Sequence, residues 1–493
     1  MGLRSGPEGR GAKEAAVMGS AMNRRQFIRS AALGAAGAWG AGLAGCRPSA
    51  RAENPPGARR PNIIVILTDD MGSADVGFQG CKDIPTPNLD SLARTGVRCE
   101  AGYVSHPFCS PTRAGLMTGR YQQRFGHENN PVYDPKDTGL GLPLGEVTLP
   151  QVLKQAGYVT GMVGKWHLGA APHFHPLKRG FDEYYGFVGG GHDYFKAAAE
   201  GEAREYLIPI ESNGKPAALT EYLTDALSGA AAAMVRRHRD RPFFLYLAYN
   251  APHTPLQAPE KYLGRFASID DPRRRSYAAM VSAVDDGVGL VLAALRETGL
   301  ERDTLIFFLS DNGGPVGQAS NGSSNAPLAN GKGSVFEGGI RVPFVVRWPS
   351  RLPAGAVYSE PVICLDILPT AAAAAGAAMP AGRGIDGVNL LPHLAGENRA
   401  PPHETLFWRA GGGAAWAVRT GRYKLLKRAA GAEPALYDLE TDIGEWADLA
   451  AAQPERVRQM QKRYDDWNGG LVAPLWQSPR PAAKKAAPAG KQK

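Results

Sequence analysis

Cysteine is scarce: five residues in 493, with no C-x-x-C pair among them. That spacing argues against a structural zinc site. Long apolar runs are missing as well. The most apolar stretch near the N-terminus, Ala31–Ala44, is weakly hydrophobic and too short to cross a bilayer as a helix. No internal repeat is present. Excess positive charge is missing where a nucleic-acid surface would need it. The chain carries +9 overall, but residues 1–60 hold ten Arg/Lys against three Asp/Glu, and residues 478–493 hold five Arg/Lys and no acid. What remains between them is slightly acidic, so the basic character belongs to the ends and a nucleic-acid partner is not expected.

At the N-terminus, Asn23-Arg24-Arg25-Gln26-Phe27-Ile28-Arg29 precedes the Ala/Gly-rich run, which ends in Leu43-Ala44-Gly45-Cys46. The first segment resembles a twin-arginine export signal and the second a bacterial lipobox. The resemblance implies the export machinery as a partner, a periplasmic location and a lipid on Cys46 as the membrane contact. Translation is expected to start at Met22. In the remaining body, whether Cys81 pairs with Cys99 is left open.

Asn62–Thr68 is a continuous apolar run, the pattern of a strand buried on both faces of a parallel sheet. Similar runs recur at Val159–Val163, Phe243–Tyr249, Thr304–Leu309 and Val342–Trp348. Helical patterns separate them at Pro87–Thr95, Leu149–Ala156, Leu219–Arg237 and Ser276–Thr298. The alternation predicts an α/β fold, a large domain with a mainly parallel central sheet flanked by helices. After residue 400 the texture changes to four short strand patterns and one helical segment, Pro454–Trp467, a smaller C-terminal domain with a short antiparallel sheet and a helix. The expected division is residues 1–60 as signal and tether, 61–400 as the catalytic α/β domain, 401–477 as a C-terminal subdomain and 478–493 as a disordered basic tail.

Two acidic pairs close predicted strands: Asp69-Asp70 after the first, and Asp311-Asn312 after Thr304–Leu309. Ligands of such sheets sit beyond the carboxyl ends of the strands, so these hard oxygens can meet at one calcium or magnesium ion. Each pair alone reads more readily as a helix cap. The most specific segment is Cys109-Ser110-Pro111-Thr112-Arg113. It resembles the maturation motif of the type I sulfatases, in which a formylglycine-generating enzyme oxidises the cysteine to Cα-formylglycine. Gly164-Lys165-Trp166-His167-Leu168-Gly169, Pro252-His253-Thr254-Pro255 and Gly331–Pro343 resemble further segments of that family, in family order. So does Leu436-Tyr437-Asp438-Leu439 with Asp442, Glu445 and Asp448-Leu449, a segment expected to pack the small sheet.

The resemblance implies an alkaline phosphatase-like fold and hydrolysis of O-sulfate esters, the expected substrates in the branch of arylsulfatase A and N-acetylgalactosamine-6-sulfatase being sulfated polysaccharides or oligosaccharides. It assigns Asp69, Asp70, Asp311, Asn312 and the modified Cys109 to the cation. Lys165 and Lys332 are assigned to the sulfate, His167 and Arg113 to the aldehyde hydrate, and His253 to proton donation to the leaving alcohol. His192 and His127, in loops expected near the substrate mouth, are assigned to substrate contact. The same fold serves phosphate and phosphonate monoester hydrolases. A lipoprotein binding sulfated glycans without turnover is the alternative from another class. A sulfotransferase is excluded by the lack of a P-loop-like phosphate cradle.

Overall fold

The computed structural model describes residues 60–198, 203 and 206–477. The export signal, the lipobox with Cys46, nearly all of the tether and the basic tail lie outside the described residues.

Asn62–Thr68 forms the central strand. Its side chains alternate, so Ile63, Val65 and Leu67 enter one hydrophobic core and Ile64 and Ile66 the other. Each such fully buried side chain contributes about 1.5–3 kcal/mol, and both faces must therefore be covered. Helices Leu223–Arg237 and Pro272–Glu297 pack over one face. Cys109–Thr118, Leu149–Gln155 and Ile367–Ala375 pack over the other.

The strand pairs in parallel with both Phe243–Ala248 and Thr304–Ser310, and Phe243–Ala248 pairs in parallel with Val159–Lys165. Thr68 lies opposite Ser310, Leu67 opposite Ala248, and Gly164 opposite Ala248. This register brings four strand ends to one level, and the chain leaves each of them carrying polar residues. Phe344–Arg347, expected as another parallel strand, runs antiparallel to Thr304–Ser310. The connection is a loop that returns along the same edge, with no crossover helix to reverse it. Beyond Val159–Lys165 the sheet continues through Glu183–Phe187 and a hairpin, Ile210–Ser212 with Lys215–Ala217. No strand was expected in these segments. Gly186 breaks the apolar pattern there because the backbone of Gly164 leaves no room for a side chain: a Cβ would lie 2.1 Å from the Gly164 carbonyl oxygen.

Thr405–Ala410, Ala415–Thr420, Tyr423–Lys427 and Ala435–Asp438 form the antiparallel C-terminal sheet. Helix Pro454–Asn468 covers one face, with Tyr464 stacked on Trp416 at 4.2 Å. The other face is part of the main core: Leu406, Trp408, Ala417 and Leu426 join the cluster that contains Leu67. The Trp408 indole donates to the Val104 carbonyl at 2.7 Å. Cys81, Cys99, Cys109 and Cys364 are all free thiols, so Cys81 and Cys99 are unpaired.

Candidate active site

Cys109 opens the helix Cys109–Thr118, and Arg113 lies one turn further along it. The thiol is 1% exposed and lies 3.4 Å from Asp69 Oδ1. Burial first, then the neighbouring carboxylates Asp311 and Asp69, push it above the usual thiol range, so at neutral pH Cys109 is a neutral thiol.

Asp69 and Asp70 leave the end of the central strand, and Asp70 takes a left-handed backbone conformation, φ 64°. That is costly for a residue with a Cβ and persists where the surroundings fix it. Asp70 Oδ1 accepts from Asn312 Nδ2 at 2.7 Å and lies 2.6 Å from Lys332 Nζ. Lys165, fully buried, pairs with Asp69 Oδ2. The Arg113 guanidinium donates through Nε and Nη2 to Asp311 Oδ2, at 3.0 and 2.7 Å, and through Nη1 to the Lys165 carbonyl at 3.0 Å. Its donors therefore brace Asp311 and the end of the Lys165 strand.

Three carboxylates and three cations share this space. Burial alone would raise Asp69, but Lys165, followed by His253, Arg113 and Lys332, holds it far below the carboxylate range. Asp311 goes the other way, up to about 6, through burial and the repulsion of Asp69 against the pull of Arg113.

His253 Nε2 lies 3.7 Å from Asp70 Oδ2, while Nδ1 sits 2.6 Å from the Thr254 carbonyl. Nδ1 thus carries the proton and Nε2 faces the carboxylates. Burial lowers His253 below the histidine range, against the pull of Asp69 and Asp70. His167, at φ 58°, is lowered further by burial, then by Lys165 and Arg113. One donor atom each from Asp69, Asp70, Cys109 and His253 lies within 4.8 Å of the others. Asn312 Oδ1 is buried without a hydrogen-bond partner among the described residues. An orphaned carbonyl oxygen beside buried carboxylates is the donor set of a hard divalent cation, so the residues fit one.

The structure thus brings Asp69, Asp70, Cys109, Arg113, Lys165, His167, His253, Asp311, Asn312 and Lys332 into one cluster. The rings of two histidines expected at the substrate are both held by protein groups. The His192 ring is buried, with Nδ1 2.5 Å from the Asp193 carbonyl and Nε2 2.9 Å from the Ile208 carbonyl. Both ring nitrogens are engaged by the backbone of its own loop, so it braces that loop. His127 is fully buried beside Ser110. Sequence reasoning missed Tyr206, whose ring stands 5.9 Å from that of His253. It belongs to no motif, so nothing in the sequence pointed to it.

Residues 61–377 match the family described as Sulfatase, and residues 330–466 match N-sulphoglucosamine sulphohydrolase, C-terminal. The chain belongs to the sulfatase family and is a sulfuric ester hydrolase on the alkaline phosphatase fold. It is 38% identical to N-acetylgalactosamine-6-sulfatase of Canis lupus familiaris, over 74% of this chain and 71% of the relative. It is 34% identical to arylsulfatase A of Homo sapiens, over 88% and 92% respectively. Among solved structures it is similar to Ps i-CgsB in complex with k-i-k-neocarrahexaose, with TM-score 0.80 and 41% identity, covering 85% of this chain and 95% of that one.

Proposed function

We propose that the enzyme is an exported sulfatase that removes O-sulfate from carbohydrate chains, using a formylglycine formed from Cys109 and a calcium or magnesium ion. The observation that carries this reading is the buried, charge-balanced cluster around Cys109. Asp69, Asp70 and Asp311 offset Arg113, Lys165 and Lys332. A divalent cation and the sulfate dianion formed as product would together leave that balance unchanged, and with the monoanionic ester the site gains one positive charge.

Asp69, Asp70, Asp311 and the free Asn312 Oδ1 would hold the ion, which supplies Lewis-acid stabilisation of the sulfuryl oxygens. The modified Cys109 supplies an aldehyde hydrate, with one hydroxyl to attack sulfur and a second whose deprotonation expels sulfate. Lys165 and Lys332 place ammonium charge where the non-bridging oxygens gain negative charge in the transition state. Arg113 keeps Asp311 and the Lys165 backbone in place. His253 Nε2 faces this space and donates to the leaving alcohol a proton it must first take up, since the resting ring carries one only on Nδ1, and His167 orients the hydrate.

The carbohydrate substrate rests on the relatives: one is named for N-acetylgalactosamine 6-sulfate chemistry, and one neighbour was solved with a neocarrahexaose. Export, with a lipid anchor on Cys46, rests on the Arg24-Arg25 segment and the Leu43-Ala44-Gly45-Cys46 segment.

The test is free sulfate released from defined sulfated sugars, nitrophenyl sulfate and matching phosphate esters, with enzyme co-expressed with a formylglycine-generating partner. The expected result is sulfate release from one sulfated sugar, absent in Cys109→Ala. Phosphate release alone would replace this reading with a phosphohydrolase.

A further inference from the structure

Ser110 directly follows the nucleophile position, and its side chain is fully buried. Its Oγ lies 2.6 Å from the His167 carbonyl oxygen and 2.6 Å from His127 Nε2. A hydroxyl has one proton. The carbonyl can only accept, so that proton goes to His167, and the second contact must be donated by the His127 ring. His127 is therefore the Nε2–H tautomer.

The His127 ring is held in turn from the far end of the chain. Trp476 meets it edge to face, with centroids 4.8 Å apart at 83°. Trp476 and Asn129 exchange two hydrogen bonds, Asn129 Nδ2 to the Trp476 carbonyl at 2.7 Å and the indole N–H to the Asn129 carbonyl at 3.2 Å. The backbone of the strap adds Val472 N to Gln123 O at 3.2 Å and Leu475 N to Gly126 O at 2.9 Å. Arg409 ties both together, donating to the Val472 carbonyl at 2.6 Å and to buried Glu128 at 2.7 Å.

His167 needs such support. Its left-handed backbone, φ 58°, is unfavourable for a residue with a side chain and relaxes unless its neighbours over-determine it. Its N–H donates to the Val188 carbonyl at 3.2 Å, and Ser110 holds its carbonyl. Its ring is pressed close to Gly190, where a Cβ would come within 2.7 Å of Nε2.

We propose that Ser110 and His127 are positioning residues for His167, fixed from outside by the C-terminal strap 472–476. This rests on the reading above, in which His167 faces the modified Cys109. The geometry makes the left-handed turn at His167 a product of a contact path from strap to His127 to Ser110.

The test compares His127→Leu, which removes the donor, with His127→Gln, which restores an N–H at the same reach. Both leave the Cys109–Arg113 motif intact, and peptide mass verifies aldehyde formation in each. The His167 ring resonance, assigned with a His167→Asn variant, gives a readout independent of turnover. The expected result for His127→Leu is a kcat lower by roughly ten- to a hundredfold, the scale of a displaced catalytic group, with KM changed less than about threefold. The His167 resonance should move, and His127→Gln should recover most of both effects. An unmoved resonance in His127→Leu overturns the proposal, whatever the activity. So does a Gln variant no better than Leu. Failure of the wild-type aldehyde enzyme to release sulfate overturns the functional reading instead, and the resonance still decides the positioning.

Discussion

Two buried ionic clusters sit about one loop apart in this chain, and they are built differently. Around Cys109, three carboxylates and three cations crowd together while Asn312 Oδ1 and His167 Nδ1 stay without partners among the described residues. In the second cluster, fully buried Lys424 lies 2.9 Å from Glu337 Oε1 and 2.8 Å from Glu445 Oε1. Glu445 Oε2 accepts the Glu337 N–H at 2.7 Å, and Glu337 Oε2 accepts from Tyr103 at 2.6 Å. This cluster joins the C-terminal sheet to helix Glu337–Ile340, which follows the Lys332 loop. One cluster keeps polar atoms free for something to bind; the other uses them to tie two parts of the protein together.

The comparison breaks first at Lys424. Lys424→Met removes the cation that two buried carboxylates share, leaving Glu337 with Arg341 at 3.4 Å, and should cost about 3–5 kcal/mol in denaturant unfolding. Adding Glu445→Gln should recover part of that loss, because the structural cluster can be discharged as a set. The active cluster should not allow this. Lys332→Ala is expected to lower kcat by about 10²–10³-fold with a much smaller change in unfolding free energy, read by steady-state kinetics and melting together. Third, a chelator should lower the melting temperature of the wild type but not of an Asp70→Ala/Asn312→Ala variant. At a cation concentration 100 times its dissociation constant the loss is about 2.7 kcal/mol.

The smallest effect is a pH dependence far from both clusters. His403 Nε2 meets Asp366 Oδ1 at 2.8 Å. Burial pulls its pKa down, but the Asp366 charge outweighs it and raises the folded value above the ordinary one. The folded state therefore binds the proton more tightly. The stabilisation is complete below the unfolded histidine range, about pH 6.5, and is lost as pH rises through the folded pKa. The stability difference between wild type and His403→Asn, measured by denaturant titration, should shrink from pH 6 to pH 9.

The parallel core was legible because strands buried on both faces leave uninterrupted apolar runs, as Asn62–Thr68 and Thr304–Ser310 do. The cluster was legible because its members lie at strand ends or in compact motifs. Glu183–Phe187 was hidden by Gly186, whose role is to let a neighbouring backbone approach. The partners of His192 and His127 were hidden for a related reason. A histidine in a glycine-rich loop looks alike whether its ring meets a ligand or, as with His192, two carbonyls of its own loop. Which of these holds depends on how the loop folds back, and the chain order does not record that. Tyr206 and Trp476 reach their partners only through tertiary packing.

The burial of the nucleophile helix also sets a sequence of events in time. Thr112 and Arg113 have no accessible surface, like Ser110, and Pro111 between them is buried. No maturation enzyme could read that motif in the finished fold. The oxidation proposed for Cys109 must therefore come while the chain is still open. Once the chain has folded around that helix the motif is out of reach, and any molecule that missed its conversion stays a thiol for the rest of its life.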